Sequence, residues 1–320
     1  MRWGIFGVGA LGALFGARLA PFVELTLFGH WAEQVACLND PGLIWQDLEG
    51  MRQISPLNAT TELPLLRGID LALVLVKSQQ TENTAVEIAT VLKPDGLVVT
   101  LQNGLGNREK LERFFRPEQI VIGTTAQGAN IPAVGELIHA GNGITVLQKH
   151  ARSQEVARCF QQAGIETEIH EAVEPVIWGK LVANAGINPL TALLGWPNGA
   201  LAEDRRAREM MCAAAEETAA VARALNIKLA ASSASEMILA VAQRTAANRS
   251  SMLQDIGRGA QTEIEAICGE VVRLGEQTQV AVPTNRFLRQ LIQAQEKKNG
   301  PFWPIETLYR KWMNERERDA

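Results

Sequence analysis

The sequence predicts an α/β chain, with a doubly wound parallel sheet in the N-terminal half and an all-α domain after it. Three observations carry this reading. Short β-branched, apolar runs alternate with helical stretches through residue 172, the pattern of strands covered on both faces and joined by crossover helices. A glycine-rich turn, GVGALG, starts at residue 7, directly behind the first of those runs. Beyond residue 175, strand patterns give way to long segments rich in alanine, glutamate and leucine. A chain of 320 residues exceeds what one core usually organises. Two domains are therefore expected, 1–172 and 173–320.

In order, Arg2–Phe6 is a buried parallel strand, Ala10–Ala20 a helix and Glu24–Phe28 a second strand. Between the first two, Gly7, Gly9 and Gly12 stand in G-x-G-x-x-G spacing. The first glycine permits the tight turn and the second lets backbone approach a pyrophosphate. The third lets helix and strand pack closely, while the helix N-terminus faces the phosphates. Gly7, Val8, Gly9, Ala10, Leu11 and Gly12 are thus the expected dinucleotide cradle of a Rossmann-type domain.

Asp70–Lys77 and Gly96–Leu101 read as further strands, with a helix over Thr81–Leu92 closed by Pro94 and Gly96. Ile120–Thr124 is another strand. Ligands of such sheets lie beyond the carboxyl ends of the strands, which is where Lys77 and the Gln102–Asn103–Gly104 turn fall. Gly135–Ala140 and Gly143–Leu147 read as a hairpin around Gly141–Asn142. Helix Ser153–Ala163 and strand Ile165–Ile169 complete the domain.

Cofactor choice turns on Leu27–Trp31, LFGHW. An NAD site normally places a carboxylate at the end of this second strand for the ribose 2′-hydroxyl. None is present, which leans towards NADP. No arginine is present either, and His30 is the nearest cationic candidate for the 2′-phosphate.

In the second half, helices are expected over Val176–Leu194, Asp204–Leu225, Ser233–Ala247, Gln261–Glu276 and Thr284–Lys298. The charged tail, Tyr309–Ala320, is expected to fray. Three stretches are polar for their surroundings. WGKLVANAGINP puts Lys180, Asn184 and Asn188 at i, i+4 and i+8 of a helix, on one face. WPNGAL holds Asn198 in a turn-forming Pro-Asn-Gly. In NRSSMLQD either Ser250 or Ser251 can cap a helix. In the following TEIEAI, Glu263 and Glu265 lie in a second helix, and either can be the solvent-facing one.

Composition excludes several classes. A hydrophobic fraction of 47% with net charge −4 gives no footprint for nucleic acid or an anionic membrane. Cys37, Cys159, Cys212 and Cys268 form neither a disulfide framework nor a metal spacing, and a reducing cytoplasm fits them. Scattered histidines argue against a metal site. The N-terminus has the outline of a secretion signal, but its glycines are better explained by the nucleotide turn.

The chain resembles the ketopantoate reductase family over essentially its full length. The matching pieces are GVGALG at 7–12, LVLVK at 73–77, QNGLG at 102–106 and GTT with Ala129 at 123–129. In the second half they are WGKLVANAGINPLTAL at 178–193, PNG at 197–199, SSMLQD at 250–255 and TEIE at 262–265. The resemblance implies NADPH-dependent reduction of the C2 ketone of 2-dehydropantoate (ketopantoate) to D-pantoate, in pantothenate and coenzyme A biosynthesis. It implies Lys180 as general acid and Glu263 as its partner on the substrate hydroxyl. Asn103, Asn184, Asn188, Asn198 and Ser251 match substrate-contacting positions, and Asn103 stands between substrate and cofactor. The glycine turn, Lys77 and Ala129 match NADP(H) contacts. His30 departs from the family pattern, where an arginine meets the 2′-phosphate. The resemblance leaves monomer and homodimer open. Reduction of another branched 2-oxo acid, or a non-catalytic NADP(H)-responsive regulator, are the alternative readings.

Overall fold

β-Branched and leucine-rich runs in the first 173 residues build twelve strands in the computed structural model, which describes residues 1–298 and 300–319. They are β1 (Arg2–Phe6), β2 (Glu24–Phe28), β3 (Leu43–Gln46), β4 (Arg52–Ser55), β5 (Ala59–Thr60) and β6 (Ile69–Val74). β7 (Leu92–Thr100), β8 (Ile120–Thr125), β9 (Gly128–Asn130), β10 (Glu136–Gly141), β11 (Thr145–Gln148) and β12 (Thr167–His170) follow. Eight form one sheet in the order β12-β11-β8-β7-β6-β1-β2-β5. Pairing is parallel from β5 to β8, while β11 runs antiparallel to β8, so the sheet is mixed. β1 lies inside the sheet, between β6 and β2: Ile5 faces Leu27 on one side and Leu73 on the other. All three are fully buried, as a strand covered on both faces requires. Trp3 and Phe15 both meet Phe160 edge to face, at 6.1 and 5.4 Å between ring centroids.

The expected hairpin over 135–147 does not form. β10 joins a second, four-stranded sheet, β4-β3-β10-β9, while β11 joins the large one. Gly141–Gly143 therefore crosses between sheets. Gln127 fixes the crossing, its Nε2 donating to Asn142 Oδ1 at 2.7 Å and to the Gly143 carbonyl at 2.8 Å. The same glutamine's Oε1 meets His139 Nε2 at 2.9 Å, and Arg18 lies 3.3 Å from His139 Nδ1. Burial, and then the charge of Arg18, hold the His139 imidazolium form down, which ties β10 to the helix Ala10–Leu19 with a neutral ring.

Helices dominate the remaining unit, Glu174–Ala320 together with Asn103–Leu105. Helix Glu174–Leu194 runs through its middle, packed by helices Arg205–Ala224, Ala234–Arg244, Ser251–Gly257 and Pro283–Lys298. Gly186 lets two of these approach: a Cβ there would lie 2.3 Å from Ile238 Cδ1 and 2.7 Å from the Met211 carbonyl oxygen. Pro189, inside the same helix, has no N–H for the Ala185 carbonyl. The Cys268 thiol lies 3.9 Å from that oxygen instead.

The tail is not frayed through residue 319. Ile305–Asp319 is a helix because Leu308 and Trp312, four residues apart, are buried in the core of this unit, and Trp312 Nε1 donates to Thr284 Oγ1 at 3.1 Å. Residue 320 lies outside the described residues. Glu217 anchors the start of helix Pro283–Lys298. It accepts from the Thr284 N–H at 2.8 Å, the Asn285 N–H at 2.9 Å and Asn285 Nδ2 at 2.9 Å. Glu217→Ala leaves the Thr284 and Asn285 N–H groups without their carboxylate acceptor and is expected to cost about 2–4 kcal/mol of stability, measured by urea denaturation.

Candidate active site

In the first unit, β1 delivers the chain into the glycine turn. Gly7 has φ +125° and donates its N–H to the Phe28 carbonyl at 2.9 Å. That conformation suits glycine alone. Gly9 begins the helix Ala10–Leu19 in extended conformation, and a Cβ there would meet nothing within 4 Å. The turn is thus open to an arriving group at Gly9 and closed at Gly12, where a Cβ would lie 1.8 Å from the Gly7 oxygen. The helix has no acidic residue in its first turn and no side-chain cap. Its first N–H groups and dipole are available to a pyrophosphate. Val8 is buried, while Ala10 and Leu11 are partly so. Gly12→Ala is expected to cost about 1–3 kcal/mol or more by overpacking and to weaken nucleotide binding about tenfold. A thermal melt and a fluorescence titration check both effects.

Lys77 lies three residues past the end of β6, opening the turn Ser78–Gln80. Leu75 and Val76 pass beside Gly7, within 2.9 and 3.1 Å of a Cβ built there. A buried polar network holds this segment. Gln102 Nε2 donates to the Val76 carbonyl at 2.8 Å and to Thr81 Oγ1 at 2.9 Å. Thr81 Oγ1 donates to the Ser78 carbonyl at 3.0 Å, and Lys110 Nζ reaches the same carbonyl at 2.9 Å. Ala129 is on β9 opposite His139, packed against the core of this unit. His30 is exposed, two residues past β2, and its Nε2 lies 2.8 Å from Glu87 Oε1.

In the second unit, Lys180 and Asn184 are partly buried and Asn188 is buried, a strip of helix Glu174–Leu194 that closes towards its C-terminal end. Burial pulls the Lys180 ammonium down to about 8, and the negative charge of Glu263 opposes that fall. Glu263 is buried and precedes the helical turns rather than lying within them. Thr262 is the reason: its Oγ1 accepts from the Ile264 N–H at 3.2 Å, so the helix begins after Glu263. Glu265 is the solvent-facing glutamate, paired with Arg289 at 2.8 Å. A π-helical turn, Glu265–Gly269, follows, a feature frequent at functional sites.

Asn103 Nδ2 donates to Glu263 Oε2 at 3.3 Å. Its loop is set by Leu105, whose N–H donates to the Ala266 carbonyl at 2.8 Å, and by Gly104, where a Cβ would lie 2.3 Å from that same oxygen. Asn198 is buried at the start of helix Asn198–Glu203. Its backbone N–H donates to the Asn248 carbonyl at 3.0 Å and its Nδ2 to Thr245 Oγ1 at 2.9 Å. Its Oδ1 is buried without a hydrogen-bond partner among the described residues. The PNG and NRSS stretches therefore lie together.

Ser250, not Ser251, caps helix Ser251–Gly257, accepting from the Leu253 N–H at 3.1 Å. Ser251 is exposed at its first position. Ser250 also bonds Thr191 Oγ1 at 2.6 Å, joining the NRSS stretch to the helix of Lys180. Thr191 carries no polar motif of its own in the sequence, although it stands three helical turns after Lys180. Glu87, on an amphipathic helix far along the chain from His30, carried no sequence signal.

A strand–glycine turn–helix unit, followed by a helical unit bearing a lysine with a depressed pKa and a carboxylate, defines a pyridine-nucleotide-dependent reductase. The chain belongs to the ketopantoate reductase PanE/ApbA family. Residues 3–152 match the family description ketopantoate reductase PanE/ApbA and residues 172–296 the description ketopantoate reductase PanE/ApbA C terminal. It is 34% identical over 304 residues to a 2-dehydropantoate 2-reductase of Halobacterium salinarum, covering 93% of this chain and 99% of the relative. Among solved structures it is similar to a PanE/ApbA family ketopantoate reductase from Ralstonia eutropha JMP134, with TM-score 0.87, 29% identity and coverage of 93% and 99%. A D-mandelate dehydrogenase in ternary complex with NADH and anilino(oxo)acetate is similar too, with TM-score 0.85, 27% identity and the same coverage. No helix among the described residues is long and apolar enough to cross a membrane, and no group of three or more potential metal ligands occurs among them.

Proposed function

We propose that this chain reduces 2-dehydropantoate to D-pantoate with NADPH, using Lys180 as the proton donor. The observation that carries the reading is the Lys180–Asn184–Asn188 strip with Glu263 in electrostatic reach of its lysine. The residues of the glycine turn fit a dinucleotide, since the Gly9 backbone is open and the following helix end is uncapped. Lys77 and Ala129 are assigned to the same nucleotide, and His30 to its 2′-phosphate. When bound, the nucleotide supplies a hydride from C4 of its nicotinamide.

As C2 of the substrate gains the hydride, its carbonyl oxygen becomes an alkoxide. The Lys180 ammonium donates a hydrogen bond to that oxygen, stabilises the growing charge and then passes its proton from Nζ, ending as a neutral amine. A pKa of about 8 suits this, because the group is charged near neutrality yet gives up its proton readily. Glu263 favours the charged form before transfer, and Asn103 holds one of its carboxylate oxygens. Asn184 and Asn188 donate amide hydrogens to the substrate carboxylate. The Asn198 Oδ1 accepts from the terminal hydroxyl, and Ser251 is assigned to the same end.

Steady-state assays with ketopantoate, 2-oxoisovalerate and oxaloacetate test this. Ketopantoate should have the highest kcat/KM, by about tenfold or more over 2-oxoisovalerate, which lacks the hydroxyl. Preference for either competitor would mark a reductase of another 2-oxo acid, and no NADPH consumption at all would mark a regulator.

A further inference from the structure

In a dinucleotide site of this build, the residues just past the second strand read the 2′ position of the adenosine ribose. Here β2 ends at Phe28 and the segment holds neither acid nor arginine, only His30. The fold supplies what the segment lacks. Glu87, on the helix Thr81–Val91, places Oε1 at 2.8 Å from His30 Nε2. The imidazole is further held edge-on against Phe28, with ring centroids 5.1 Å apart and planes at 80°. The His30 side chain is 71% exposed and that of Glu87 23%, so each keeps part of its surface accessible.

We propose that Glu87 is a specificity-determining residue of the nucleotide site, whose carboxylate accepts a hydrogen bond from the ribose 2′-hydroxyl of NADH and opposes the 2′-phosphate of NADPH. This rests on the dinucleotide reading of the first unit. A carboxylate accepts a hydroxyl proton well, as the usual second-strand acid of an NAD site does. The same carboxylate repels a phosphate dianion, and its hydrogen bond to His30 turns part of the imidazole's donor capacity away from that phosphate. The site consequently binds both nucleotides, discriminating less than an arginine fork would.

The experiment is a fluorescence titration of the purified full-length protein with NADPH and with NADH, in the absence of substrate. It compares the parent with Glu87→Gln and Glu33→Gln. Glutamine keeps the shape of Glu87 and a hydrogen bond to His30 while removing the charge. Glu33, exposed on helix Ala32–Cys37, controls for a mere change in net charge. The expected result is tighter NADPH and weaker NADH binding in Glu87→Gln, raising the affinity ratio about tenfold, as removal of one close charge from a dianion implies. Glu33→Gln should stay within about twofold of the parent. An unchanged ratio in Glu87→Gln, or an equal change in the control, overturns the assignment alone. A parent that binds neither nucleotide overturns the dinucleotide site and the assignment with it.

Discussion

Lys180→Ala is expected to lower kcat for ketopantoate reduction about 10²–10⁴-fold while leaving NADPH affinity within about threefold of the parent. The range is that of a lost general acid, with lost stabilisation of the alkoxide at its upper end. Folding should survive, because Lys180 is only partly buried and helix Glu174–Leu194 is held by Leu181, Val182, Ala185 and the residues beyond them. Lys180→Arg separates charge from proton transfer. A guanidinium keeps the positive charge but does not release its proton near neutral pH, so this variant should remain slow. Equal loss of turnover and NADPH affinity in Lys180→Ala would assign the lysine to holding the nucleotide instead.

Glu263→Gln has the next largest effect. The negative charge of the Glu263 carboxylate opposes the fall of the Lys180 pKa. With an amide in its place, the lysine is left to burial, and its pKa drops below the parent's value. With Lys180 as the proposed proton donor the ammonium is the form that reacts, so the falling limb of the rate against pH is expected to move to lower pH. Above about pH 8 the variant should therefore be slower by about tenfold for each unit by which the pKa drops, and the deficit should shrink on acidification. Rates measured across pH for parent and variant separate this from simple damage to the site. A uniformly lower profile with its limb unmoved would remove Glu263 from contact with the lysine's charge.

Local chemistry made much of this molecule legible. GVGALG announces its geometry because only glycine tolerates φ +125° at position 7 and the 1.8 Å approach at position 12. The strip of Lys180, Asn184 and Asn188 follows from helical periodicity alone. What stayed hidden depends on partners distant in the chain. The residues of β10 alternate as a hairpin strand would, yet they pair with β3 and β9, a choice that alternation does not encode. The tail carries many charges, but Ile305, Leu308 and Trp312 are buried along one face of its helix. Glu263 and Glu265 are alike in the sequence; Thr262 starts the helix between them and Arg289 pairs with the second. Glu87 meets His30 across 57 residues of sequence, and no local pattern joins them.

The most direct test of the proton-donor assignment is kcat/KM for ketopantoate at saturating NADPH, followed from about pH 6 to about pH 10. A lysine poised at about 8 predicts a level profile on the acid side and a tenfold fall per pH unit above that value, with the limb abolished in the residual activity of Lys180→Ala. A profile level across the alkaline range, or a limb that persists unchanged in Lys180→Ala, would contradict it.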